Sequence, residues 1–367
     1  MTNTEILQAY LWNISLYSHK SEDQTVHNEL ISQARKYIGL DIPKIREGIH
    51  YQDVLELILM DVHGRFNTCD WYGAEKNLQL FDRIASGKMV QVNLLFDRWY
   101  TSANVYFRRG LLDRALEATF QAEPYAEGHF LRYKMLLLRG EIESAKMNMY
   151  EFSVNSLSSA LYEAEQLGET YVIDVYNRLA HMFSMRYASL GMSFLRKAQA
   201  LCERLGDEKL LLENRMARVN SYYGLSLRHP QDEKMFLDEA QQVLNLVDYD
   251  SLPLPQNKMY YKELLGKITH NVDPIIEACK FYQGVDALDE ICRCSDSILV
   301  TGINYEQAAK ALPYVEIYRK TAMKRNDKDL ALELQYIQKA EDIIYGILGK
   351  QKKWTDRETS YHHGCFG

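Results

Sequence analysis

Few residues in this chain combine a reactive side chain with the spacing that catalysis requires. The sequence contains no Walker-type glycine loop, no GxSxG, no HExxH and no G-x-G-x-x-G. Asp61 and His63 lie two residues apart, which puts them on different faces of a helix. Gln52, in "IHYQDVLELIL" (residues 49–59), carries a side-chain amide next to a hydrophobic stripe, and an amide donates and accepts hydrogen bonds at once. Taken alone, Gln52 fits an ordinary exposed helix position.

The composition of the 367 residues excludes several classes of protein. Hydrophobic residues make up 47% and charged residues 25%, which is typical of a chain with a sizeable core. The net charge of −7 and the absence of a long basic stripe argue against direct nucleic-acid binding. No run of 18 apolar residues and no signal-peptide pattern occurs, so we expect a cytoplasmic protein without a membrane span.

The cysteines do not form a convincing metal or disulfide pattern. Six are scattered along the chain, and in a cytoplasmic protein they should stay reduced. The "CRC" at 292–294 lacks a second pair that would complete a zinc site. His362, His363 and Cys365 could hold a metal transiently, but the segment 350–367 fits a disordered tail better. We therefore predict no resident metal and no cofactor.

A repeat of 38 residues organises the middle of the chain. The segment 99–123 has the residue spacing of a tetratricopeptide unit, with Gly110 at the turn between two helices. Small residues recur at 38-, 38- and 42-residue separations, where two helices must approach closely. These residues are Ala122, Ala160, Ala198 and Ala240. An earlier contact position repeats as Ala115, Ser153 and Gly191, each 38 residues apart.

The pattern predicts an all-α fold, with an N-terminal helical bundle (1–88) followed by a tetratricopeptide-repeat superhelix (89–349). The first helix of each unit should line a concave groove of the kind that binds peptides. We expect bundle helices near 3–18, 24–39, 43–66 and 71–86, and first helices of the units at 91–107, 129–148, 170–187 and 208–226. We also expect a helix pair at 294–318 with its turn at Gly302, and a last helix at 328–349.

Several segments, taken in order, resemble the Rap proteins of Bacillus-type bacteria, which are response-regulator aspartate phosphatases and related regulators. The likeness covers roughly residues 5 to 345. The segments that carry it are "LQAYLWNISLY" (7–17), "HYQDVLELILMD" (50–61), "KMNMYEFSVNSLSSALYEAEQLGE" (146–169), "NKMYYKELLGKI" (257–268) and "NYEQAAKALPYVEIYRK" (304–320).

The resemblance implies a role for the bundle. Gln52 matches a glutamine that enters the receiver domain of a response regulator and promotes hydrolysis of its aspartyl phosphate. The receiver supplies the metal ion. Asp53, Glu56 and Asp61 fall on the same helix and would contact this partner, although Asp61 is displaced by one position from the family's acidic residue.

The resemblance also implies a site for a short signalling peptide in the groove. Asn220, in "RMARVNSYYG" (215–224), matches an asparagine that fixes the peptide backbone. His181, in "LAHMFSMRY" (179–187), stands near a second asparagine position, and the usual aspartate is absent. The predicted peptide-binding residues are Asn177, His181, Arg215, Arg218, Asn220 and Tyr223.

Three hypotheses remain open at this stage. The chain is a peptide-regulated phosphatase, a non-catalytic relative that sequesters the DNA-binding domain of a response regulator, or a general tetratricopeptide scaffold. A homodimer is compatible with all three.

Overall fold

The computed structural model describes residues 2–17, 24–40, 45–146, 149–184, 187–206, 208–252, 254–304, 306–325 and 330–349. Within these ranges there are 17 α-helices and no strand, which confirms the all-α prediction. The predicted tail at 350–367, with His362, His363 and Cys365, lies outside the described residues.

The helices follow one another with short connections. They are α1 (Asn3–Tyr17), α2 (Gln24–Ile38), α3 (Tyr51–Asn67), α4 (Trp71–Ala85), α5 (Val92–Arg108), α6 (Leu112–Ala122), α7 (Gly128–Ala145), α8 (Tyr150–Leu167), α9 (Glu169–Ser184), α10 (Ala188–Leu205), α11 (Glu208–Arg228), α12 (Glu233–Leu244), α13 (Pro255–Ile268), α14 (Val272–Gly284), α15 (Leu288–Asn304), α16 (Ala308–Arg325) and α17 (Leu330–Ile347).

From α3 onward the helices form two layers. Each odd-numbered helix packs against the even-numbered helix that follows it, as in a helical hairpin. The odd-numbered helices α3 to α17 also lie side by side in chain order, and they form the inner layer. This is the arrangement of a helical-repeat superhelix, in which each unit buries its apolar face against its neighbours.

Small side chains occupy the close crossings between the layers. Ala122, Ala160, Ala198 and Ala240 are all fully buried, as their 38- to 42-residue spacing predicts. At the α7–α8 crossing, a Cβ added to Gly140 would lie 2.6 Å from Leu157 Cγ. The Leu157 side chain of α8 therefore packs directly against the backbone of α7.

The N-terminal bundle is built around α3. This helix contacts α1, α2, α4 and α5, so it is apolar around most of its circumference, and Val54, Leu55, Leu57 and Ile58 are fully buried. The predicted boundary at residue 88 falls in the connection 86–91 between α4 and α5.

Two expected element boundaries are wrong. The helix expected over 43–66 begins only at Tyr51, because Gly48 has φ +76° and residues 45–50 are not helical. Gly302 does not form a turn but lies inside α15, where an added Cβ would be 2.5 Å from Ala311 Cβ. This glycine is required by the close approach of α16 rather than by chain reversal.

Early and late parts of the chain contact each other across the superhelix. Trp71, at the start of α4, and Cys69 before it belong to the same apolar core as residues of α14 to α17. Cys69 Sγ donates to Gln256 Oε1 at 3.0 Å. We call this region the closure contact; its residues are Cys69, Trp71, Arg108, Arg109 and Gly110 on one side, and Gln256, Asp286, Asp289 and Glu290 on the other.

Ion pairs surround the turn between α5 and α6 in the closure contact. Arg108 Nη1 lies 3.4 Å from Glu290 Oε1, and Arg109 Nη2 lies 3.5 Å from Asp286 Oδ2. Gly110 has φ +69°, and a Cβ there would lie 2.7 Å from the backbone nitrogen of Asp289. Gly110 therefore serves both the turn predicted from the sequence and the close approach of α15.

Replacing Gly110 tests the closure contact. Gly206 is the matched control, because it has φ +67° but nothing within 4 Å of an added Cβ. Gly206→Ala should lower the free energy of unfolding by about 1 kcal/mol through backbone strain. Gly110→Ala should cost about 1–3 kcal/mol more, because the new methyl group overlaps a backbone atom. Urea denaturation measures both, and equal losses would contradict the contact.

Candidate functional site

Gln52 lies in the first turn of α3 and is only 9% exposed. Its Nε2 donates to the carbonyl oxygen of Met89 at 2.8 Å and to Tyr51 Oη at 3.0 Å. Its Oε1 accepts from the backbone nitrogen of Gln91 at 3.4 Å. Tyr51 Oη also donates to the Met89 carbonyl. Both ends of the amide are thus engaged by the connection 86–91, which joins the bundle to the repeats.

The three acidic candidates on α3 occupy different environments. Asp61 is buried between Arg35 Nη1 at 2.5 Å and Arg65 Nε at 3.0 Å, so it stabilises the bundle from inside. Asp53 and Glu56 instead line an open cleft of about 260 Å³ between α1 and α3. Burial raises the pKa of Glu56, and the neighbouring carboxylate of Asp53 raises it further.

Trp12 lines the same cleft and is 68% exposed. Neither Asp53 nor Glu56 forms an ion pair in the described part of the chain. Together with Trp12, these two carboxylates form an accessible surface. This surface contains two of the three residues predicted to contact a partner.

The inner face of α9 presents a row of polar side chains at helical spacing. Asp174, Asn177, Arg178 and His181 follow one another at the i, i+3, i+4 and i+7 positions. Arg178 Nε lies 2.7 Å from Glu141 Oε1 on α7 and 3.4 Å from Asp174 Oδ1. The first pair connects α9 to the neighbouring inner helix α7, the second lies within α9, and together they fix the orientation of the guanidinium.

The pKa of His181, on α9, is strongly lowered. Its side chain is exposed to the groove, yet the surrounding protein lowers its pKa to about 4 by desolvation. The positive charges of Arg178, Arg293 and Lys267 lower this pKa further. Lys267 and Arg293 belong to α13 and α15, two and three inner helices away from α9.

Helix α13 contains a fully buried carboxylate. Glu263 is 0% exposed and accepts from Lys267 Nζ at 2.7 Å and from Arg293 Nη2 at 3.0 Å. Burial alone would raise its pKa, but the two cations outweigh burial and hold the pKa at about 2. Lys267 and Arg293 are therefore fixed by an anion that lies beneath the surface, and Arg293 is the more exposed of the two cations.

The other predicted peptide-binding residues divide into two groups. Asn177 Oδ1 accepts from Asn214 Nδ2 at 2.9 Å, and Tyr223 is buried with its pKa raised to about 12 by desolvation. Asn220 is half-buried on α11. Arg215 donates to the carbonyl of Leu246 at 3.1 Å, and Arg218 donates to Gln199 Oε1 at 2.8 Å. The structure brings the two arginines to the α10–α12 side rather than to His181.

Sequence reasoning missed several charged residues of the groove. A signal was present in the spacing: Tyr260, Glu263 and Lys267 stand at i, i+3 and i+7, as polar residues on one face of a helix would, and α13 covers all three. The missed residues are Glu141, Asp174, Glu263, Lys267 and Arg293.

Two further kinds of site are absent from the described residues. These residues contain no group of three or more His, Cys, Asp or Glu side chains placed to hold a metal ion. None of the described helices is both long and apolar enough to cross a membrane.

Comparison with known proteins supports the fold. No protein-family model and no curated protein matches the chain. A solved structure described as a Rap protein complexed with competence and sporulation factor matches 95% of this chain and 100% of its own, with a TM-score of 0.50 and 13% sequence identity. At this identity the likeness shows a shared helical-repeat architecture along nearly the whole chain.

Replacing Glu263 tests the charged wall of the groove. Glu263→Gln leaves Lys267 and Arg293 without their anion and should lower the free energy of unfolding by about 3–5 kcal/mol at neutral pH. Glu277→Gln is the matched control, because Glu277 pairs with Lys262 at the surface and should cost less than about 1 kcal/mol.

The same variant should change the pH dependence of unfolding. The folded-state pKa of Glu263, about 2, lies below its ordinary value of 4.5. Its contribution to stability is therefore complete above pH 4.5 and is lost as the pH falls towards 2. In Glu263→Gln, stability should fall less steeply across this interval. An unchanged slope in acid denaturation would show that the carboxylate is not paired.

Proposed function

We propose that the protein is a Rap-like switch in which the repeat groove binds a short peptide and the bundle binds a response regulator. The observation that carries the proposal is the match of nearly the whole chain to a Rap protein that was solved with its competence and sporulation factor. The enclosed groove and the exposed cleft on the bundle give the two binding surfaces that such a switch needs.

The chemistry of the groove suits an extended peptide. At neutral pH His181 is uncharged, so its ring offers one donor and one acceptor to a peptide backbone. Asn220 offers an amide with the same dual capacity. Arg178 and Arg293 are held in place by their own carboxylate partners, so their charge is available without the entropy loss of ordering a free side chain.

We further propose that Gln52 promotes hydrolysis of an aspartyl phosphate on the bound response regulator. An amide can accept from a water molecule and donate to a phosphoryl oxygen, which positions the water for in-line attack. Positioning is the main requirement, because the receiver domain supplies its own metal ion and the acyl phosphate is already activated. To act in this way, Gln52 must first leave Met89 and Gln91, so the described arrangement corresponds to a restrained state.

The internal bonding of Gln52 also favours a second candidate function. A glutamine whose amide is fully engaged within the protein has a structural role, and the bundle then binds a response regulator without chemistry. In this alternative the protein sequesters the DNA-binding domain and blocks transcription.

A dephosphorylation assay on a panel of phosphorylated receiver domains tests the catalytic role. The wild-type protein should accelerate phosphate release from at least one receiver. Gln52→Asn should reduce that rate at least about 100-fold while receiver binding changes little, because the shortened amide no longer positions water. Gln79→Asn, at an exposed position of α4, is the matched control and should behave as wild type.

The assay separates the two candidates. Normal hydrolysis by Gln52→Asn would remove Gln52 from the chemistry. Tight binding to an isolated DNA-binding domain, with no hydrolysis by the wild type, would establish the sequestering alternative.

A library of random short peptides tests the groove. Peptides enriched on the wild-type protein should bind His181→Leu at least about ten-fold more weakly, because backbone hydrogen bonds to the neutral ring are lost. His229→Leu is the control, since His229 is exposed beside Phe236 at the end of α11. Equal binding to both variants, measured by fluorescence anisotropy, would place the peptide elsewhere.

A further inference from the structure

A second cavity lies at the junction of the bundle and the repeats, away from the groove. It has a volume of about 280 Å³, is open to solvent and sits between the end of α4, the connection 86–91 and the start of α5. Neither the fold comparison nor the proposed function assigns it a role. Its lining consists of Phe81, Asp82, Ala85, Ser86, Lys88, Val90, Leu95, Arg98 and Trp99.

Arg98 is the decisive residue of this junction pocket. It is only 7% exposed, and its Nε donates to Asp82 Oδ1 at 2.8 Å while its Nη2 donates to Asp82 Oδ2. The third nitrogen, Nη1, is buried and has no hydrogen-bond acceptor among the described residues. A buried donor on a cation that lacks an acceptor is costly, and an anionic oxygen is the group that satisfies it best.

The charges of the pocket set the charge of the ligand. Arg98 and Lys88 contribute two positive charges, and Asp82 contributes one negative charge. Lys88 forms no ion pair in the described part of the chain; its Nζ lies 5.1 Å from the centre of the Tyr51 ring. One net positive charge matches a monoanion, and a second negative charge on the ligand would be left unbalanced in the pocket.

The walls set the shape of the rest of the ligand. Phe81, Val90, Leu95 and Trp99 supply apolar surface, and the Arg98 guanidinium stacks over the Trp99 ring at 3.6 Å. Pockets of this kind bind an apolar body and orient it through a few polar groups. We propose that the junction pocket binds a small carboxylate carried on an apolar body, with the carboxylate paired to Lys88 and to the Arg98 guanidinium, whose Nη1 must turn from its buried position to reach it.

A ligand in this pocket would act on the segment that holds Gln52. Lys88 and Val90 line the pocket, and Met89 between them accepts from the Gln52 amide. Binding therefore restrains the connection in the conformation that keeps Gln52 engaged.

Four probes test the chemistry by ligand-observed NMR on the full chain. N-acetyl-leucine represents the C-terminal residue of a peptide, and 4-methylpentanoate represents a free carboxylate. N-acetyl-leucinamide lacks the charge, and inorganic phosphate lacks the apolar body. The amide should bind at least about ten-fold more weakly than N-acetyl-leucine, because its charge-assisted hydrogen bond is lost. Amide or phosphate binding as tight as that of the acid would overturn the proposal.

The two carboxylates distinguish the source of the ligand. Clearly tighter binding of N-acetyl-leucine points to a peptide C-terminus, and equal binding points to a free carboxylate. Failure of both to bind would overturn the proposal.

Variants of the pocket rim locate the site without removing Arg98, whose pairing with Asp82 stabilises the fold. Lys88→Gln should weaken N-acetyl-leucine binding about five-fold through loss of one exposed charge. Val90→Trp should fill the pocket and abolish binding. Lys76→Gln, on the exposed face of α4 beside Tyr72, is the charge-matched control and should bind as wild type. Unchanged binding in both rim variants would show that the pocket is not the site.

Discussion

Close helix crossings at small side chains determine the shape of the repeat array. Where Ala160 or Gly140 faces a neighbouring helix, the axes approach more closely than larger side chains would permit. Repetition of this approach along the chain bends the inner layer of helices. The charged residues of α13 and α15 act on His181 of α9 within this packed layer, so the electrostatics of the inner face depend on a steric feature of the core.

The groove combines charges that are fixed with a histidine that is not charged. Glu263 is held ionised by Lys267 and Arg293, and desolvation, assisted by Arg178 and by the same two cations, lowers the pKa of His181. A buried ion network of this type adds little net stability compared with apolar packing, but it holds its members in one geometry. The inner surface is thus preorganised before any ligand arrives, which reduces the entropy cost of binding.

The sequence predicted the fold class, the repeat period and the role of Gly110 because these depend on local patterns of small and apolar residues. It placed a turn at Gly302 because a glycine marks either a turn or a close approach, and only the packing of Ala311 decides between them. It placed Gln52 on a helix but gave no sign of Met89 as its partner, 37 residues away. Contacts between distant segments have no periodic signature in a single sequence.

The closure contact limits how this array can evolve. In an open solenoid each repeat touches only its neighbours, so a unit can be gained or lost with little effect on the others. Here the turn after α5 fits against the start of α15, and four helix pairs separate them. Inserting or deleting one pair would shift Gly110 away from Asp289 by a whole unit. The number of helix pairs between α5 and α15 is therefore constrained by the packing itself, whereas the loops can change length without moving this contact.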